Sequence, residues 1–118
     1  MVQITQKNNL VVVDVLGFHK LWALKHQLRI PKKDIIAIYQ NQQELKNCKG
    51  LRFGTHIPNF ITAGSFSCNG ATNFWDVMKK ANTLIFELKN NTFNKLYLEV
   101  ENPNDTLNRL KKSLQLAQ

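Results

Sequence analysis

The side chains of this chain that could bind a metal, attack a carbonyl or move a proton are few and scattered. His19, His26 and His56 fall in no H-E-x-x-H or H-x-E context, and Cys48 and Cys68 form no C-x-x-C pair. A zinc site needs several thiolate or imidazole ligands at close spacing, so the reading is two reduced thiols, no metal and no cofactor. A nucleophile elbow and a G-x-x-x-x-G-K phosphate loop are both missing from the sequence. Carboxylates for general acid–base work would have to come from Asp14, Asp34, Glu44, Asp76, Glu87, Glu99, Glu101 and Asp105. Most of these alternate with apolar residues or sit in turns, as solvated charges do. The pattern therefore argues against an enzyme. A small enzyme without a recognisable motif is kept as a third reading.

Binding chemistry is better represented. Arg52, Thr55 and His56 lie in a glycine-rich stretch, where a free backbone approaches a ligand closely and a guanidinium can grip a phosphate or carboxylate with two parallel bonds. The plainer alternative pairs Arg52 with an acid of the sheet. Trp75 follows Phe74, so in a strand the two rings point to opposite faces, one into the core. The second ring either packs beneath the loop at 50–58 or joins a recognition surface. Lys20, Trp22 and Lys25, flanked by His19 and His26, mix cations and aromatic rings as interfacial segments do, although Phe18, Leu21 and Trp22 also fit a short helix packed on the body. Lys32 and Lys33 in the next turn add to the same basic patch if the fold brings them together.

The elements that must position these residues belong to a single domain spanning 1–118. A chain of 118 residues encloses one core, and 43% hydrophobic with 20% charged residues describes a globular protein rather than a disordered one. The longest apolar run, from Leu10 to Phe18, is broken by Asp14 and Gly17, too short to span a bilayer. The first ten residues lack a basic n-region before an apolar stretch, so the expected location is cytoplasmic, with a peripheral place at the inner membrane face as an option. A formal charge of +8, concentrated in the first two thirds, favours an acidic partner or serves solubility.

Turn signals divide the chain into short strands. Val2–Lys7 and Leu10–Leu16 flank Asn8-Asn9, a two-residue turn suited to positive φ. Gln27–Ile30 ends at Pro31, Lys32-Lys33-Asp34 turns, and Ile35–Gln40 is rich in strand formers. Gly50, Gly54 and Pro58 suggest an irregular loop, followed by a strand at Asn59–Ser67 with a bulge or close approach at Gly64. Asn69-Gly70 leads into Thr72–Lys79. Leu84, Phe86 and Leu88, then Leu96, Leu98 and Val100, alternate with polar residues and predict two half-buried antiparallel strands. Asn102-Pro103-Asn104-Asp105 caps a helix over roughly 103–116, with Leu107, Leu110 and Leu114 on one face. About seven strands and a terminal helix predict a mainly β barrel or sandwich with a helical stopper.

The segment Gly50-Leu51-Arg52-Phe53-Gly54-Thr55-His56-Ile57-Pro58, then Ile61–Phe66, Phe74-Trp75, Leu84–Leu88 and Tyr97–Val100 followed by Pro103, resembles the bacterial pleckstrin-homology-like domains. The resemblance covers most of the chain. It implies a PH-like body of two packed antiparallel sheets, about seven strands in all, capped at one end by the final helix. It also implies a non-catalytic binding module, because such bodies leave a groove beside the terminal helix where a peptide can add a strand. A protein partner or self-association through strand edges ranks first. An anionic lipid surface ranks second, since the first hairpin offers only Lys7 beside Asn8 and Asn9. Nucleic acid ranks last, the usual RNA-binding aromatic motifs being absent.

Overall fold

The computed structural model of the chain describes residues 2–16, 27–46, 51–57, 61–68 and 70–114. Strands β1 (Val2–Lys7), β2 (Leu10–Val15) and β3 (Gln27–Pro31) form one antiparallel sheet in chain order. Asn8 takes φ 53, the left-handed conformation that a two-residue hairpin demands and that asparagine tolerates better than most residues. Val11, Val13 and Val15 share one fully buried face, as their alternation predicts.

The chain then turns through one 3-10 turn at Lys32–Asp34 into a second sheet. Its strands are β4 (Ile35–Tyr39), β5 (Leu51–Ile57), β6 (Ile61–Cys68), β7 (Ala71–Val77), β8 (Thr83–Leu88) and β9 (Lys95–Glu99). Across the sheet their order is β4-β8-β9-β7-β6-β5. A single described helix, α1 (Pro103–Leu114), follows. The mainly β class and the terminal helix are as the sequence indicates. The strand count is higher than expected, nine among the described residues, and no strand pair joins the two sheets there, so the body is an open pair of sheets rather than a closed barrel.

Two differences from expectation lie in the larger sheet. The expected loop at 50–58 is instead strand β5 over Leu51–Ile57, in unbroken register with β6. Glycine weakens an isolated strand, but here Gly54 lies opposite Gly64, and Gly64, at φ 130, lies opposite Trp75. Gly64 thus sits beside the largest ring of the sheet, with Gly54 across from it on the next strand rather than in an irregular segment. Secondly, β7 and β9 run parallel, in place of an all-antiparallel body. The connection at 78–82 does not pair β7 with β8, which lie two positions apart in the sheet. Strand β9 lies between them, parallel to β7 and antiparallel to β8.

Strands β8 and β9 are consequently buried on both faces, not half-buried. One face, with Phe74, Leu84, Phe86, Leu96 and Leu98, joins the valines of the first sheet in the main core. The opposite face carries Trp75, Ile85, Tyr97 and Phe66, covered in part by Leu45 from the 3-10 turn Glu44–Lys46. Trp75 and Tyr97 stack with centroids 3.8 Å apart and planes within 8°. Tyr97 alternates with leucines and so reads as solvent-facing in sequence, yet it belongs to this second apolar layer.

Helix α1 closes the main core with Leu110, while Leu107 and Leu114 pack beside it. Replacing Leu110 by Ala removes a side chain with no solvent exposure, and the expected cost is about 2–5 kcal/mol. Urea denaturation checks this: the midpoint should fall with the slope unchanged.

Candidate functional site

Lys7 and Leu10 close the two-residue turn of the β1–β2 hairpin, and Gln3, Thr5 and Lys7 stand opposite Asp14, Val12 and Leu10. In an antiparallel ladder such alternate residues exchange both bonds with the neighbouring strand. Val2, Ile4 and Gln6 therefore direct their backbone N–H and C=O groups away from β2, toward the outer edge. Among the described residues β1 has a strand partner on one side only. Helix α1 lies along the other side. Arg109 Nη2 donates to the Ile4 carbonyl at 3.3 Å, and Ser113 Oγ donates to the Gln6 side chain. A guanidinium thus occupies a position that a neighbouring strand would fill with an amide.

Between this edge and the first half of α1 lies a groove of about 390 Å³. The nearly buried Val2, Ile4 and Val100 form its floor, Leu16 adds an exposed apolar side chain, Gln3, Glu101 and Asn102 add polar ones, and Thr106 and Arg109 form its helical wall. Leu16 is among the most exposed large hydrophobic side chains described. The groove results from local sequence choices. Asn102-Pro103 starts the helix close to the end of β9, and the spacing of Thr106, Arg109 and Ser113 presents one polar stripe to the β1 edge.

A second feature is a lysine-rich pole. The Lys32 amide donates to Asn9 O at 2.8 Å, joining the first hairpin to the β3–β4 turn, and the Lys89 amide donates to Asp34 O at 2.8 Å. Lys7, Lys32, Lys33 and Lys89 consequently share one end of the molecule, and Lys33 and Lys89 line a cleft of about 460 Å³. Asp34, the carboxylate in that cleft, is buried and accepts from Asn91 Nδ2 at 3.2 Å.

The tightest polar cluster is Tyr39, Glu44 and Lys95. Tyr39 OH donates to Glu44 Oε2 at 2.7 Å, and Lys95 Nζ donates to Glu44 Oε1 at 2.8 Å and to the Tyr39 hydroxyl at 3.2 Å. Burial, followed by donation to Glu44, raises the Tyr39 phenol above its ordinary range, against the opposing pull of Lys95. Burial alone would lower the Lys95 ammonium, but its bonds to Glu44 and Tyr39 outweigh that and hold it above its usual range. A general base works best with a pKa near the operating pH. Here both groups move away from neutrality, so the cluster acts as a clip that pins the turn carrying Leu45 over the Trp75–Tyr97 stack.

The residues singled out from sequence do not converge. Lys20, Trp22 and Lys25 lie outside the described residues, as do the expected helical turns around them. Arg52, Thr55 and His56 are on strand β5, not in a loop. Arg52 stands opposite Phe66 and His56 opposite Thr62, whereas Thr55 stands opposite Ala63, out of phase with the other two. Trp75 is 1% exposed and stacked, so its ring supports the sheet and forms no open recognition surface. Lys32 and Lys33 do join a basic patch, but with Lys7 and Lys89. Sequence reasoning missed Arg109 as a groove residue because its position identifies the helix flank without saying which strand edge that flank meets. Compared with known proteins, the chain matches no family model, no curated protein and no solved structure.

The clip has a pH signature. Both Tyr39 and Lys95 hold their proton more tightly in the fold than in the unfolded chain. The stability this contributes is complete below their ordinary values, about 10 for each, and is lost as pH rises through the folded values. The thermal midpoint of the parent protein should exceed that of a Tyr39→Phe/Lys95→Met variant by a constant margin up to about pH 9, then lose that margin above about pH 10.

Proposed function

We propose that the chain is a non-catalytic interaction module that binds an extended peptide of a protein partner by adding it as a strand to the outer edge of β1. The observation that carries this reading is the coincidence of a strand edge that has no strand partner among the described residues with a groove and a helical wall beside it. Strand addition needs those three things: outward main-chain groups for affinity, a lined recess for alternate side chains, and a second wall. The Arg109–Ile4 bond supports it further, since a side chain blunts the edge until a strand displaces it. A groove beside the terminal helix is also what the resemblance to PH-like domains implies, although the parallel β7–β9 pair departs from an all-antiparallel arrangement of that kind.

A valine-rich peptide added to labelled protein should slow hydrogen exchange at the Ile4 and Gln6 amides more than at Thr5, which already pairs with β2. Gln6→Pro removes one outward N–H from a half-exposed edge position, where proline is tolerated. It should weaken binding by roughly fivefold, the worth of one hydrogen bond of about 1 kcal/mol, with the thermal midpoint little changed. Uniform exchange protection, or none, would remove the proposal.

The lysine-rich pole favours a second reading, docking on an anionic membrane surface. Among the described residues no helix is long and apolar enough to cross a membrane, so such docking would be peripheral. Co-sedimentation with anionic vesicles that persists at physiological salt, and is lost on Lys33→Glu/Lys89→Glu, would favour it over strand addition.

A further inference from the structure

The groove beside β1 is not electrically uniform. Glu101, just before α1, lines the groove where it begins, next to Val2 and Val100. Arg109, on the helix flank that faces the strand edge, reaches the middle of β1 at Ile4, and Ser113 meets Gln6. Lys7 then ends the strand at the lysine-rich pole. A segment lying in this groove therefore passes a carboxylate at the Val2 end and cations from Ile4 to the Lys7 end.

From this gradient, and resting on the strand-addition reading, we infer that the partner is a charge-polarised extended segment. It carries acidic side chains where it meets Arg109 and Lys7, and neutral or basic ones where it meets Glu101. Antiparallel pairing is the commoner and more stable mode per residue. In that mode the N-terminus of the segment lies beside Lys7, the last residue of β1. The partner segment is thus acidic in its first half. Displacing Arg109 from the Ile4 carbonyl frees a planar guanidinium for two parallel bonds to one of those carboxylates, so the group that guards the edge also recognises what replaces it. The gradient fixes direction as well as affinity, because a segment entering the other way would set acid against acid.

Two synthetic peptides of identical composition test this, each alternating valine with charged residues, one with glutamates in its first half and lysines in its second, the other reversed. Equal composition cancels the general attraction of a +8 protein for acidic chains. In fluorescence polarisation at low ionic strength the acid-first peptide should bind about tenfold more tightly, and added salt should narrow the gap. The exposed pair Glu101→Lys/Lys7→Glu should abolish or reverse the preference while leaving the thermal midpoint in place. Equal affinity of the two peptides, or preference for the reversed one, overturns the inference while strand addition stands. If neither peptide binds nor protects the Ile4 amide, strand addition itself fails and the inference with it.

Discussion

Strand β9 lies between two strands that precede it in the chain, and the rest of the larger sheet depends on its fit there. A strand in that position needs partners on both edges and cover on both faces. Its edges are satisfied by a parallel ladder to β7 and an antiparallel ladder to β8. Its leucines face the main core, while Tyr97 stacks on Trp75 across the parallel pair. Even its last residue is held, for Glu99 Oε1 accepts the Met78 amide and the Val100 amide donates to Asn82 O, so the crossing connection is tied to the strand it passes. Burying a carboxylate there is tolerable because it accepts a hydrogen bond.

The position of α1 follows from the same constraint. With β9 ending at the Val2 end of the molecule, the helix begins there and runs back along β1 toward the lysine-rich pole. One polar stripe then faces a strand edge while Leu107, Leu110 and Leu114 seal the core. The groove and its charge gradient result from where β9 stops and which way the helix returns.

Much of this body was legible in sequence. The Asn8-Asn9 turn, the buried Val11, Val13 and Val15 face, the strands on either side of Gly70 and the terminal helix all follow from local periodicity and turn chemistry. What escaped notice depends on contacts distant in sequence. The alternation at Lys95–Val100 gives no sign that a second layer covers Tyr97. Gly54 resembles a loop residue until β5 is paired with β6, and the close approach expected at Gly64 is explained only when Trp75 is placed beside it. The candidate site was less legible still, because an edge is defined by what fails to pair with it, and no pattern within β1 or α1 records that. Lys89 joins Lys33 only through the β4–β8 ladder.

The order of insertion also bears on how the chain reaches this state. Strands β7 and β8 cannot complete their sheet until β9, later in sequence, has entered between them, so the docking step joins segments that do not form a simple hairpin. Non-local and parallel pairings of this kind raise contact order and slow folding. Until it happens, Trp75 and Ile85 lack the Tyr97 ring between them, and the edge of β1 lacks its helix. A nascent chain therefore passes through a stage with exposed aromatic surface and an open strand edge, the combination most prone to misassociation. The lysines of the early strands and turns, made before the helix, give that intermediate a like charge that keeps copies apart.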